Sequence, residues 1–170
     1  MAKEGTKPFY TKTEVAALIA AHATNFGLHT KLIVKSADQT VNNSDTLQDD
    51  DELLFAVAAN EVWAFIVVPL ASSSEVAGLR VRMPDPEGVT VLGVFCFTNP
   101  NEDTLITPVL PGEDASFLGM GQDAVTGVII GIVINGGDAC NLQFQWAQDR
   151  QEESDTIVRA NSCILAWKLA

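Results

Sequence analysis

The chain has 170 residues, 47% of them hydrophobic, and a net charge of −12. That suffices for one well-filled core and falls short of two, while the acidic balance argues against a nucleic-acid binder. The longest apolar tract, Val125 to Ile134, is well below the roughly 20 residues of a membrane-spanning helix, so no membrane partner is expected.

Charge is spread unevenly. In residues 1–35, Lys3, Lys7, Lys12, Lys31 and Lys35 stand against Glu4 and Glu14, which leaves +3 there and −15 in the rest of the chain. A basic arm thus precedes an acidic body, and the arm is too weakly charged and too poor in Arg to serve as a phosphate binder. The opening MAKEGTKPFY has no apolar run behind its charges, so no secretory signal is expected. Cys96, Cys140 and Cys163 are widely spaced, with no Cys-x-x-Cys and no nearby His. Buried free thiols in a reducing compartment are the expected state, with no metal and no cofactor.

Gly5 and Pro8 make residues 1–10 an extended arm. Thr11-Lys12-Thr13-Glu14 fits a capping box, with the Thr hydroxyl on a first-turn amide and Glu14 reaching back. Val15, Leu18 and Ile19 recur at helical spacing to about Thr24, where Asn25 and Gly27 are expected to end the helix. Such a short helix with a narrow apolar stripe is marginal alone, so it docks either on its own domain or on a partner. His22, near the stripe, reads as a packing residue. Residues 1–30 form one unit, and residues 31–170 a β domain.

In that domain Lys31 to Ser36 is the first candidate strand, and a short one is expected around Gln39 to Val41. Asp45, Asp49, Asp50, Asp51 and Glu52 then read as a solvated acidic loop; they offer oxygen ligands, but the spacing lacks an EF-hand pattern for calcium. The stretch from Glu52 to Ala71 reads as two strands joined tightly at Asn60-Glu61. In its second half Val62, Ala64, Ile66 and Val68 oppose Trp63, Phe65 and Val67, so both faces are apolar. One face is expected on a second sheet and the other under a cover, for which a neighbouring subunit is a candidate. Trp63, Phe65 and Val67 are the candidate trimer face.

Leu79, Val81 and Met83 alternate inward against Arg80 and Arg82, and Pro84 to Gly88 turns the chain. Val89 to Thr98 is a further strand, Thr104 to Leu110 an edge strand because of Pro108, and Pro111 to Gln122 a loop. Ala124 to Asn135 is a long strand with Gly127 and Gly131 on one face, which leaves room for close backbone approach or a bulge. Asn135-Gly136-Gly137-Asp138 signals a hairpin into a strand with Leu142, Phe144 and Trp146 inward and Asn141, Gln143 and Gln145 outward. Asp155 to Ala160 leads to a last strand bearing Cys163, Leu165, Trp167 and Leu169; by alternation all three tryptophans look internal. The fold expected is all-β: a jelly-roll-like β-sandwich of about eight strands behind an extended arm and one short helix.

KSADQTVNNSDTLQDDDELLFAVAANEVWAF, together with LQFQWAQDRQEESDTIVRANSCILAWKL, resembles segments of tailed-bacteriophage virion exterior proteins. The similarity spans roughly Lys31 to Leu169 and leaves Glu75 to Gln122 unmatched. It implies a trimeric β-sandwich protein on the outside of heads or on tails and leaves open which virion part this is; the expected location is the capsid exterior, with synthesis in the host cytoplasm. The phage major capsid protein is then the expected partner of the arm, through Lys3, Lys7, Phe9, Tyr10, Lys12, Val15, Leu18 and Ile19.

No enzyme is expected. Both histidines, His22 and His29, lie in the appendage, no Gly-x-Ser-x-Gly or phosphate loop is present, and the carboxylates sit in turns. The expected function is that of a capsid decoration, or cement, protein which clamps the shell. The alternative is a tail or fibre module binding a host-surface glycan, which calls for exposed aromatic residues.

Overall fold

The computed structural model of the chain describes residues 11–84, 89–97, 105–109, 113–117 and 125–170. Lys3, Lys7, Phe9 and Tyr10 lie outside the described residues. One helix, α1 (Lys12–His29), precedes β1 (Thr30–Val34), β2 (Gln39–Asn42), β3 (Gln48–Val57), β4 (Val62–Val68), β5 (Leu70–Ser72), β6 (Leu79–Arg82) and β7 (Val89–Phe97). These are followed by β8 (Leu105–Val109), β9 (Ala115–Phe117), β10 (Val125–Asn135), β11 (Cys140–Ala147), β12 (Asp155–Val158) and β13 (Cys163–Lys168).

The described strands form two antiparallel sheets around a common core, an all-β sandwich. The larger runs β1-β13-β4-β10-β5-β12-β2, with β7 also on β10 and β8 on β7; the smaller runs β3-β11-β6-β9. Strands outnumber the expected eight because apolar runs are broken. Pro69 splits one of them into β4 and β5, and β10 follows both, pairing Ile129 with Val67 and then Val125 with Ala71. Among the described residues β8, which holds Pro108, pairs with β7 alone, as expected of an edge.

Two expected hairpins are absent. β3 pairs with β11 and β4 with β10, so the link at Asn60-Glu61 and the link at Gly136-Gly137 each cross from one sheet to the other. Asn60 adopts the left-handed conformation, φ 61°, which Asn tolerates because its short amide bonds locally. The chain reverses at the expected residues, but into the facing sheet.

Alternation sets the core. Leu53, Phe55, Trp63, Phe65, Val67, Leu79, Val81, Ile129, Val133, Leu142, Phe144, Trp146 and Ile164 are buried together. The Phe65 ring has room because its cross-strand neighbours are small, Ala166 on β13 and Gly131 on β10. Gly131 therefore serves close packing, and register through it is unbroken from Ile129 to Ile134.

The acidic run, expected as a loop, forms the start of β3 with Asp50 buried. Gln143 and Gln145, two apart on β11, face Leu54 and Asp49, so β3 bulges in between. The Asp50 carboxylate accepts from the freed N–H groups of Glu52 (3.0 Å) and Leu53 (2.9 Å), from Trp146 Nε1 (3.2 Å) and from Lys35 Nζ (3.0 Å). Lys35 Nζ also donates to Gln39 Oε1 at 3.1 Å, which completes a buried, hydrogen-bonded ion pair.

Candidate interaction surfaces

Helix α1 starts as its sequence dictates. Glu14 N donates to Thr11 Oγ1 (3.2 Å) and Thr11 N to Glu14 Oε2 (2.8 Å), the reciprocal bonds of a capping box. It does not stop at Asn25 or Gly27 but runs to His29 and passes without a loop into β1 at Thr30. A helical Gly costs only about 1 kcal/mol, and it stops a helix when it turns left-handed itself; here Gly27 stays within the helix and the next element begins in extended backbone, with Thr30 at φ −135°. Every residue of the run Val15-Ala16-Ala17-Leu18-Ile19-Ala20-Ala21 is exposed, Ile19 to 64%, as is Lys12. A helix apolar on every side is normally buried. This one has contacts with β1 and β13, but none of them covers that run.

Beside it lies the outer face of the larger sheet. Across β1, β13, β4 and β10, Leu32 is in register with Leu165, Leu165 with Ile66, and Ile66 with Ile130. Ile132 and Ile134 continue the patch along β10, with Val34 at its edge; all three are exposed, as are Leu32 (68%), Ile130 (54%) and Leu165. Val62, Ile66, Val68, Val128, Cys163 and Trp167 are half-buried among them. No outward position of these four strands carries a charge.

One apolar face of β4 packs on the second sheet as expected, but it is the face read as the candidate trimer face. Trp63, Phe65 and Val67, the candidate trimer face, are buried in the chain's own core. They pack against the smaller sheet, with the tilted Phe55 ring 5.9 Å from Trp63 and 6.5 Å from Phe65 between centroids. The opposite set, Val62, Ala64, Ile66 and Val68, faces out. Trp167 is also on the outer face, since Ile164 and Ala166 are the buried residues of β13; Trp63 and Trp146 are internal as expected.

The lysines bordering this face turn to its inner side. Lys31 Nζ donates to Ala56 O at 2.6 Å and lies 5.0 Å from the Trp63 ring centroid. Lys168 Nζ donates to Glu61 Oε1 at 2.8 Å. Glu61 Oε2 accepts from Ala58 N (2.9 Å) and Trp63 Nε1 (2.9 Å), and these donors, Lys168 foremost, pull the Glu61 pKa down to about 2.

The outer face of the smaller sheet is polar by contrast. Gln143 Nε2 donates to Asp50 O and Gln145 Nε2 to Asp49 Oδ1, each at 2.7 Å, and Arg82 Nε meets Asp114 Oδ1 at 2.5 Å. Among the described residues no group of three or more His, Cys, Asp or Glu is placed to hold a metal ion. Cys140 and Cys163 are free thiols, and burial pushes the Cys140 thiol up.

No protein-family model matches the chain, and no curated protein matches it. Among solved structures it is similar to the tripod from the baseplate of bacteriophage Tuc2009, at 10% identity and a TM-score of 0.35 over 98% of this chain and 72% of that one. It is also similar to the VP2 subviral particle of infectious bursal disease virus, at 9% identity and a TM-score of 0.21 over 83% of this chain and 41% of that one.

Proposed function

We propose that the chain is a structural protein of a tailed-phage virion: a homotrimeric capsid decoration protein on the outside of the head, without catalytic activity. Its β-sandwich is the body that trimerises. Its first 29 residues are the grip on the major capsid protein. The observation that carries this reading is α1, a capped helix whose run from Val15 to Ala21 is apolar and exposed along its whole circumference. Docking such a segment on a shell buries apolar surface at a modest entropic cost, because the helix is already formed. Lys3, Lys7 and Lys12 add attraction to an acidic shell surface that weakens as salt rises.

The test is attachment. Purified protein lacking residues 1–29 is mixed with heads that lack the full chain, and pelleted protein is quantified beside the full-length control. Full-length chain at hundreds of copies per particle, with the truncated body left in the supernatant, is the expected result. Equal pelleting of the two overturns the anchoring role. A handful of copies per particle, on tails, replaces decoration with the tail-module reading.

A further inference from the structure

We infer that the outer face of β1, β13, β4 and β10 is the surface on which copies of this chain pack against one another. The inference deepens the trimer reading and rests on it, by naming the face and its occupant.

Chemistry singles out the occupant. In a chain of net charge −12, two copies meeting at most surfaces bring carboxylates together, and like charges across an interface cost several kcal/mol. This face has no charged outward position, and the lysines nearest to it are engaged on the inner side by Ala56 O, Asp50 and Glu61. A charged partner, whether phosphate, lipid headgroup or basic peptide, finds no counter-charge here. A second copy offers an equally apolar, equally uncharged face.

Extent and regularity agree. Strands lie about 4.8 Å apart and every second residue about 6.8 Å along, so the row Leu32 to Ile130 and the column Ile130 to Ile134 each span roughly 14 Å. With the flanking Val34, Val62, Val68, Cys163 and Trp167, the patch is on the order of 400–500 Å². That is within the roughly 300–600 Å² of the largest apolar patch on a typical monomer, a patch that is often functional. It is about half of the roughly 800 Å² that each partner contributes to a standard interface, and its apolar composition is that of an interface centre. Around a cyclic axis each copy meets two neighbours, so three such faces close one shared core, with the polar face of the smaller sheet turned outward.

The experiment is sedimentation velocity on the full chain and on two variants, Leu32→Glu and Ile130→Glu, with circular dichroism to verify folding. Both side chains are more than half exposed, so the single chain tolerates the change. The wild type is expected to sediment as an oligomer and both variants at the mass of one 18.2 kDa chain. Folded variants that keep the wild-type mass overturn the assignment of the face and leave the oligomer standing; a wild type that is a single chain at every concentration overturns both. Should either variant unfold, Leu32→Cys supplies a second reading. Maleimide labelling at that residue, read by peptide mass, is expected to be slowed by about tenfold or more relative to the urea-unfolded chain, because an interface centre is dry. Labelling as fast as in the unfolded chain overturns the proposal.

Discussion

The side-chain amide of Asn135 donates to the main-chain oxygen of Ala58 at 2.7 Å, which ties the end of β10 to the residue just past β3 in the opposite sheet. The same nitrogen reaches Asp138 O at 2.8 Å and Val57 O at 3.3 Å. Alongside, Asn60 N donates to Gly136 O at 2.7 Å and Asn135 N to Glu61 O at 2.9 Å. The two links that cross between sheets, themselves largely exposed, are thereby stitched together at the buried Asn135. Replacing Asn135 with Leu removes three hydrogen bonds made from a buried position, one of them to the buried Val57 carbonyl, at about 1–3 kcal/mol. Urea unfolding should show a lower midpoint at unchanged slope, and an unchanged midpoint would show that the stitch contributes nothing.

Glu61 closes the first of those links, and its ionisation should be visible in acid. Its folded pKa of about 2 lies below the ordinary 4.5, so its contribution is complete above pH 4.5 and is lost as pH falls through about 2. The carboxylate is partly exposed, so the full shift is discounted for solvent screening to roughly 2 kcal/mol. Glu61→Gln should therefore be less stable than wild type at pH 6, with the gap closing between pH 4.5 and 2. A gap that stays constant over that window would assign the effect to shape rather than charge.

At the β3 bulge, Asp50 matters more than its ion pair with Lys35. Losing Lys35 strands a buried carboxylate, at about 3–5 kcal/mol. Losing Asp50 strands the Lys35 ammonium together with the Glu52 and Leu53 amides and the Trp146 indole. Asp50→Leu is expected to cost more than Lys35→Met, and the double variant to be no more stable than Lys35→Met alone. Denaturation of the three proteins decides it; a double variant that recovers most of the wild-type stability would make the ion pair, and not the N–H groups, the reason for the acid.

If α1 is the grip proposed above, it contributes attachment and little body stability. Leu18→Asp and Ile19→Asp replace side chains exposed on the free chain, so unfolding of the body should move by less than about 0.5 kcal/mol. Binding to heads is expected to fall in the same variants. Thr11→Ala, by removing the cap, should weaken the helix by about 1 kcal/mol, read as lost helical circular dichroism. A body that melts much earlier in Leu18→Asp would mean that the helix docks at home.

Much of the fold was legible along single strands. The inward sets Leu79, Val81, Met83 and Leu142, Phe144, Trp146 follow from a period of two, and the Thr11–Glu14 box from reciprocal hydrogen bonding between neighbours in sequence. The acidic stretch was not legible, because Asp50 becomes an interior residue only through Lys35 on β1 and Trp146 on β11. Nor were the links: a short polar reversal has the same composition whether it returns within a sheet or crosses to the facing one. At β4 the pattern showed two apolar faces and could not rank them.

What the amino-acid order determined alone is local: which residues share a side of a strand, where a helix is capped, and that the chain holds more apolar strand surface than one interface consumes. Which side went inward was decided by tertiary structure. Trp63, Phe65 and Val67 are interior because Ala166 and Gly131 leave space beside Phe65 and because the Phe55 ring packs against it, tilted, from the other sheet, contacts between residues distant in sequence that no periodicity encodes. Val62, Ala64, Ile66 and Val68, equally apolar, were left to face outward.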